Sequence, residues 1–155
     1  MNPSVSLKLF VVISLVIATA YNKDHAKKSA NYPASIAGTW QLRKTSGGML
    51  PGEQAYPSGN GNILKFDNGH YERYENRILT KTGQFEIVND NTVNESVCLV
   101  MPDGQFTNRI IYDNDTVSEK VFIQVFNNKL TFISGCYALD GGHSSEYERQ
   151  DRDPE

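Results

Sequence analysis

From Gly38 onward, apolar residues come in short runs that alternate with polar ones, and clusters of Asn, Asp and Gly separate the runs. A period of two marks a half-buried strand. On the first run, Trp40 and Leu42 share one face while Gln41 and Arg43 share the other. On the last, Tyr147 and Arg149 share a face, and Glu146 and Glu148 point the opposite way, to solvent. Gly83, Phe85 and Ile87 fall together, with Gln84 and Glu86 opposite. The pattern predicts strands over 37–45, 62–66, 70–74, 78–88, 92–100, 106–112, 119–126, 129–134 and 145–150. Asp67-Asn68-Gly69, Glu75-Asn76-Arg77 and Asn127-Asn128 are tight-turn signals, because Asn and Gly tolerate positive φ. Met49–Gly61 and Gly135–Ser144 read as longer loops.

No helical period interrupts these runs, so neighbours in sequence are expected to be neighbours in space, as an antiparallel meander. A meander of this length removes its exposed edges by closing on itself. The expected fold is therefore all-β, an up-and-down barrel of about eight strands, whose interior holds side chains or one small ligand. The 155 residues suit one domain, expected at 36–150.

Before that domain the pattern changes. Lys8 precedes the apolar run Leu9–Ile17, and Ala18-Thr19-Ala20 is a small-x-small triplet. This order is that of a cleavable secretory signal over residues 1–20. The run falls short of the ~20 residues that span a bilayer, so no transmembrane segment is expected after cleavage. Residues 21–35 read as a polar tether and 151–155 as a frayed charged tail. Localisation outside the cytoplasm follows: periplasm, outer envelope or extracellular space.

Composition narrows the chemistry. Eight Tyr and seven Phe, with many Val, Ile and Thr, reinforce the strand reading. A net charge of −3 with scattered basic residues gives no footprint for nucleic acid. In an exported chain Cys98 and Cys136 are candidates for a disulfide, the alternative being two small buried apolar side chains. Three scattered His and two Cys lack zinc-site spacing. Asp140, His143 and Ser144 lie close in sequence but carry no nucleophile-elbow motif, and they read as a polar loop. Glu146 with Glu148 reads as a solvated face, and Asp113-Asn114-Asp115 as a turn rather than a calcium loop. No cofactor is implied and no enzyme is expected.

Gly38-Thr39-Trp40 at the start of the first strand, with Arg149 on the last, resembles the lipocalin and calycin pattern. There the first-strand Trp packs at one end of the barrel and a basic residue from the last strand crosses it. The run from Ile63 to Ile87, with its D-N-G and E-N-R turns, resembles the small lipocalin-like domain proteins of Bacteroidetes. The segment before Asn22 resembles a lipoprotein start, although Tyr21 stands where such proteins carry the lipid-bearing cysteine. The resemblance implies a non-enzymatic envelope or secreted binding protein, holding a small apolar or amphipathic ligand inside the barrel. Its candidate lining is Tyr71, Arg73, Tyr74, Phe85, Tyr112, Phe122, Phe132 and Tyr147, residues that fill the core in the competing reading. In that alternative the barrel is filled and acts as a protein-interaction or inhibitor module through its rim loops. Arg73 is the polar residue to watch: facing inward, it needs a carboxylate partner or an anionic ligand.

Overall fold

The turn residues act as their chemistry allows. Asn68 and Gly69, Asn76 and Arg77, and Asn127 and Asn128 all take positive φ, the conformation that two-residue hairpin turns require. They join β3 (Ile63–Asp67) to β4 (His70–Glu75), β4 to β5 (Ile78–Asn89), and β7 (Val121–Phe126) to β8 (Lys129–Ser134). The other strands are β1 (Gly38–Gly47), β2 (Glu53–Ala55), β6 (Asn108–Tyr112) and β9 (His143–Arg149). These belong to a computed structural model that describes residues 36–48 and 52–150. The expected signal segment, tether and tail lie outside the described residues.

Every pairing is antiparallel, the sheet order is β2-β1-β3-β4-β5-β6-β7-β8-β9, and β1 also pairs with β9. That last pairing closes eight strands into a barrel, consistent with a calycin-like fold. The ninth strand, β2, is an addition. One edge of β1 is shared, with β3 along Gly38–Gln41 and β2 along Lys44–Ser46.

Closure depends on one end of the barrel. Trp40 is fully buried and donates its indole N–H to the Ile36 carbonyl at 2.8 Å. The Arg149 guanidinium lies 4.1 Å above the Trp40 ring and donates to the Ala37 carbonyl at 2.6 Å. A cation over an indole contributes about 0.5–2 kcal/mol. Gly38 makes room for it. Its φ is +132°, and a Cβ there would come within 2.6 Å of an Arg149 nitrogen. Around this end Phe66, Phe85, Ile110, Ile123 and Leu130 fill the barrel.

Three expectations need correction. The run Thr92–Val100, expected as a strand, contains the short helix α1 (Val93–Val97). Val93 and Val97 are four apart, so a helix puts both on one face, and both are buried with Phe106, Phe122 and Ile133. Phe106, expected in β6, precedes it and belongs to the same cluster, with φ of 52°. The segment from Met49 to Gly61, expected as loop alone, contains β2.

α1 is thus a patch on the outside of the barrel, over β7 and β8. Cys98, at its C-terminal end, is disulfide-bonded to Cys136 in the β8–β9 connection, with Cα atoms 4.9 Å apart. Asp90 anchors the start of the patch. It accepts from the Thr92 backbone and hydroxyl and pairs with Lys120 at 3.0 Å. Burial alone would raise its carboxyl; those hydrogen bonds and the Lys120 charge more than reverse this and lower it to about 2.

Gly38→Ala is expected to cost about 2 kcal/mol or more of unfolding free energy, from a left-handed backbone and a displaced guanidinium. Urea titration against the parent checks this. Because the folded Asp90 pKa lies below the unfolded value of 3.8, its contribution is complete above pH ~4 and is lost as pH falls toward ~2. The shift corresponds to about 2 kcal/mol. Asp90→Asn is expected to be less stable than the parent near neutrality, with the gap narrowing across that acid window in denaturation curves.

Candidate binding cavity

Strand alternation decides what enters the barrel, and two bulges reset it. On β1, Leu42 faces Tyr147 and Lys44 faces Glu146, so Arg43 is the extra residue. The bulge keeps Leu42 and Thr45 on the inner face although they are three apart. On β4, Arg73 pairs with Lys81 and Tyr74 with Leu79, so a second bulge lies on β5. Arg73 also pairs with Leu64, which in turn pairs with Trp40. It shares the inner face with buried Tyr71.

Above the filled end a cavity of about 370 Å³ opens to solvent, lined by Leu64, Val121, Phe132, Tyr112, Arg73 and Tyr147 among others. Its mouth is polar, with Thr45, Ser134, His143 and Ser145. A second lobe of about 400 Å³ shares Leu64, Arg73 and Tyr147 with the first, and reaches the surface past Leu42, Tyr56, Tyr74 and Glu75. It exists because β3 begins only at Ile63, while β2, which covers the upper part of β1, pairs with no other strand. The barrel wall is therefore open between β2 and β4.

Arg73 belongs to both lobes. Among the described residues it makes no ion pair, while Arg43, Lys44, Lys65, Lys81, Arg109, Lys120 and Lys129 each have a carboxylate within 4.0 Å. Solvent reaches Arg73 through the openings. Its charge also acts on the two cavity tyrosines. Burial pushes the Tyr112 hydroxyl far above the ordinary phenol range, and Tyr147 in the same direction; Arg73 pulls both back only in part.

The sequence candidates divide four ways. Gly38, Trp40 and Arg149 meet at the closed end. Arg73, Tyr112, Phe132 and Tyr147 line the cavity, with Phe132 edge-on to Tyr147 at 5.6 Å between ring centres. Tyr71 and Phe85 are core: Tyr71 packs edge-on to Tyr112 at 4.7 Å and donates its hydroxyl to Asp113, and Phe85 packs edge-on to Phe66 at 5.0 Å. Tyr74 and Phe122 are outward. Tyr74 bonds Glu72 beside Lys65 at the lip of the side lobe. Phe122 is not in the barrel at all but beneath α1, because Val121, Ile123 and Val125 take the inner face of β7.

The polar mouth was not legible in the sequence, since Thr45 is in phase only because of the bulge. Buried Gln41 was missed as well. It faces away from the cavity, and its amide oxygen accepts from Gly59 N–H and from the Gln150 amide. Alternation separates His143 from Ser144, whose hydroxyl lies 2.7 Å from that of Ser46. Asp113 and Asp115 spend their carboxylates on local donors: Tyr71 and Gln84 for the first, Val117 and Ser118 for the second. Among the described residues no three His, Cys, Asp or Glu gather as a metal site, and no helix is long and apolar enough to cross a membrane.

The chain matches no family model, no curated protein and no solved structure.

The raised Tyr112 hydroxyl has a thermodynamic consequence. The folded state keeps a proton that the unfolded chain releases above pH ~10, so the associated stability is complete below that pH and falls as pH rises beyond it. Tyr112→Phe is expected to weaken this alkaline loss. Thermal midpoints taken near neutrality and above pH ~10, in variant and parent, check it.

Proposed function

We propose that this chain is a non-enzymatic binding protein that works outside the cytoplasm and holds a small amphipathic molecule in its barrel. The observation that carries the reading is the cavity of about 370 Å³, apolar at Leu64, Val121 and Phe132 and polar at its mouth. Its volume lies at the small end of the ~300–1,000 Å³ range of small-molecule sites, and its mix of apolar walls with few polar groups is typical of them. The Cys98–Cys136 bridge and the signal-like start both favour an oxidising, extracytoplasmic compartment. The lipocalin-like resemblance, including that to small envelope proteins of Bacteroidetes, points the same way.

The second reading, an interaction module acting through its rim, is favoured by two exposed apolar residues. Val117 in the β6–β7 loop is 94% exposed, and Leu139 in the β8–β9 loop is 81% exposed.

Native mass spectrometry of the protein secreted from cells distinguishes the two. A small-molecule mass present in the native spectrum and absent after denaturation is the expected result. Ser145→Trp, which places a large ring at the mouth, is expected to abolish that mass while leaving the circular dichroism spectrum unchanged. A bare protein mass, persisting after incubation with envelope lipids, would shift the assignment to the rim loops.

A further inference from the structure

Resting on the ligand-binding reading above, we infer that the side lobe is a saccharide subsite, which takes an uncharged sugar ring at the head of a ligand whose apolar part lies in the main lobe. Three observations carry this. First, the two lobes share Leu64, Arg73 and Tyr147, so one molecule can span both, yet their walls differ. The main lobe is apolar at Leu64, Val121 and Phe132, whereas the side lobe is lined by Tyr56, Tyr74 and Tyr147 and by the amides of Asn62 and Asn76. Second, the two charged side chains of the side lobe, Arg73 and Glu75, are of opposite sign and both exposed. Third, its polar groups are held in place with hydrogen-bonding capacity to spare. Asn62 Oδ1 accepts the Asn76 backbone N–H at 3.1 Å, and among the described residues the Asn62 amide nitrogen has no partner. Tyr56 is anchored by its backbone N–H, which donates to the Arg43 carbonyl at 2.8 Å, and its hydroxyl is likewise unengaged among the described residues.

A sugar ring suits this wall for chemical reasons. Each of its hydroxyls both donates and accepts, so one molecule can accept from the Arg73 guanidinium and the Asn62 amide while donating to the Glu75 carboxylate. Its C–H faces are apolar and pack on aromatic rings, and a tyrosine presents such a ring with a polar tip. An anionic head would meet Glu75 as well as Arg73, and a cationic head the reverse, so the lobe selects neither sign. An alkyl chain in the side lobe would take two amides and two charges out of water without returning a hydrogen bond, which is unfavourable.

The test is titration calorimetry with octyl β-glucoside, octyl tetraethylene glycol ether and methyl β-glucoside, the octyl compounds below their micelle concentrations, on the parent protein and on Tyr56→Ala. The octyl compounds share a chain, but the polyether head has no ring and a single hydroxyl. The expected result is at least about tenfold tighter binding of octyl β-glucoside than of the polyether to the parent, with methyl β-glucoside the weakest. Tyr56→Ala should bring octyl β-glucoside down to the level of the polyether and leave the polyether unchanged, which also shows that the variant is folded. Equal binding of the two octyl compounds to the parent overturns this inference and leaves the binding reading standing. Equal weakening of both by Tyr56→Ala overturns it too, by showing a structural role, as does an octyl β-glucoside affinity that the variant leaves unchanged. Methyl β-glucoside bound as tightly as octyl β-glucoside overturns the amphipathic reading and makes a free sugar the occupant. Binding of none of the three overturns the inference together with the reading beneath it.

Discussion

The contact between β1 and β9 is the constraint on which the structure depends. An up-and-down meander is stable only when its first and last strands meet, because otherwise two edges remain open. Here they meet along the full length of β9. The seam is fixed at its base by Arg149, which spans it to lie over Trp40 and bond the Ala37 carbonyl. The same guanidinium explains the glycine at position 38. Sequence, backbone conformation and closure are linked at a single point.

Closing the barrel at one end leaves the other free to be irregular. The bulge at Arg43 turns the upper half of β1 so that Thr45 faces inward, and the shared edge of β1 leaves the wall open beside β4. The large aromatic and aliphatic side chains crowd the closed end. Toward the mouth the inner positions fall to Thr45, Ser145 and His143. The cavity is therefore a product of where bulky side chains stop, and Arg73 stands at the boundary between the two regimes. Arg73 is on the inner face by register but is exposed to solvent through the openings, so water solvates its charge without a carboxylate partner.

Much of this was legible in the residues. The D-N-G, E-N-R and N-N turns marked three hairpins, and period two placed Trp40, Leu42, Tyr147 and Arg149 on one face. The barrel followed from the absence of any long helical segment. What could not be read is what local pattern leaves undetermined. VFIQVF in β7 is apolar on both faces because α1 covers the outside, so alternation could not tell that Phe122 faces away from the interior. Val93 and Val97 fit a strand's alternation as well as a helix's spacing, since four is both an even number and about one helical turn. A bulge leaves no mark in composition, which is why the polar mouth was invisible. Of the residues named from the sequence, Arg73, Tyr112, Phe132 and Tyr147 line the main cavity and Tyr74 the side lobe, while Tyr71, Phe85 and Phe122 pack elsewhere.

The disulfide divides the barrel mechanically. Cys98 and Cys136 are 38 residues apart, and the chain between them contains β6, β7 and β8. Three adjacent staves are thus held in one covalent ring, whose closure removes about 4 kcal/mol of disorder from the unfolded chain by loop-entropy arithmetic. The strands from β1 to β5 carry no such hoop. The unhooped part of the wall, where β2 and β3 share the edge of β1, borders the second lobe. The covalent ring and the side lobe therefore occupy different parts of the barrel, since no residue of β6, β7 or β8 lines that lobe.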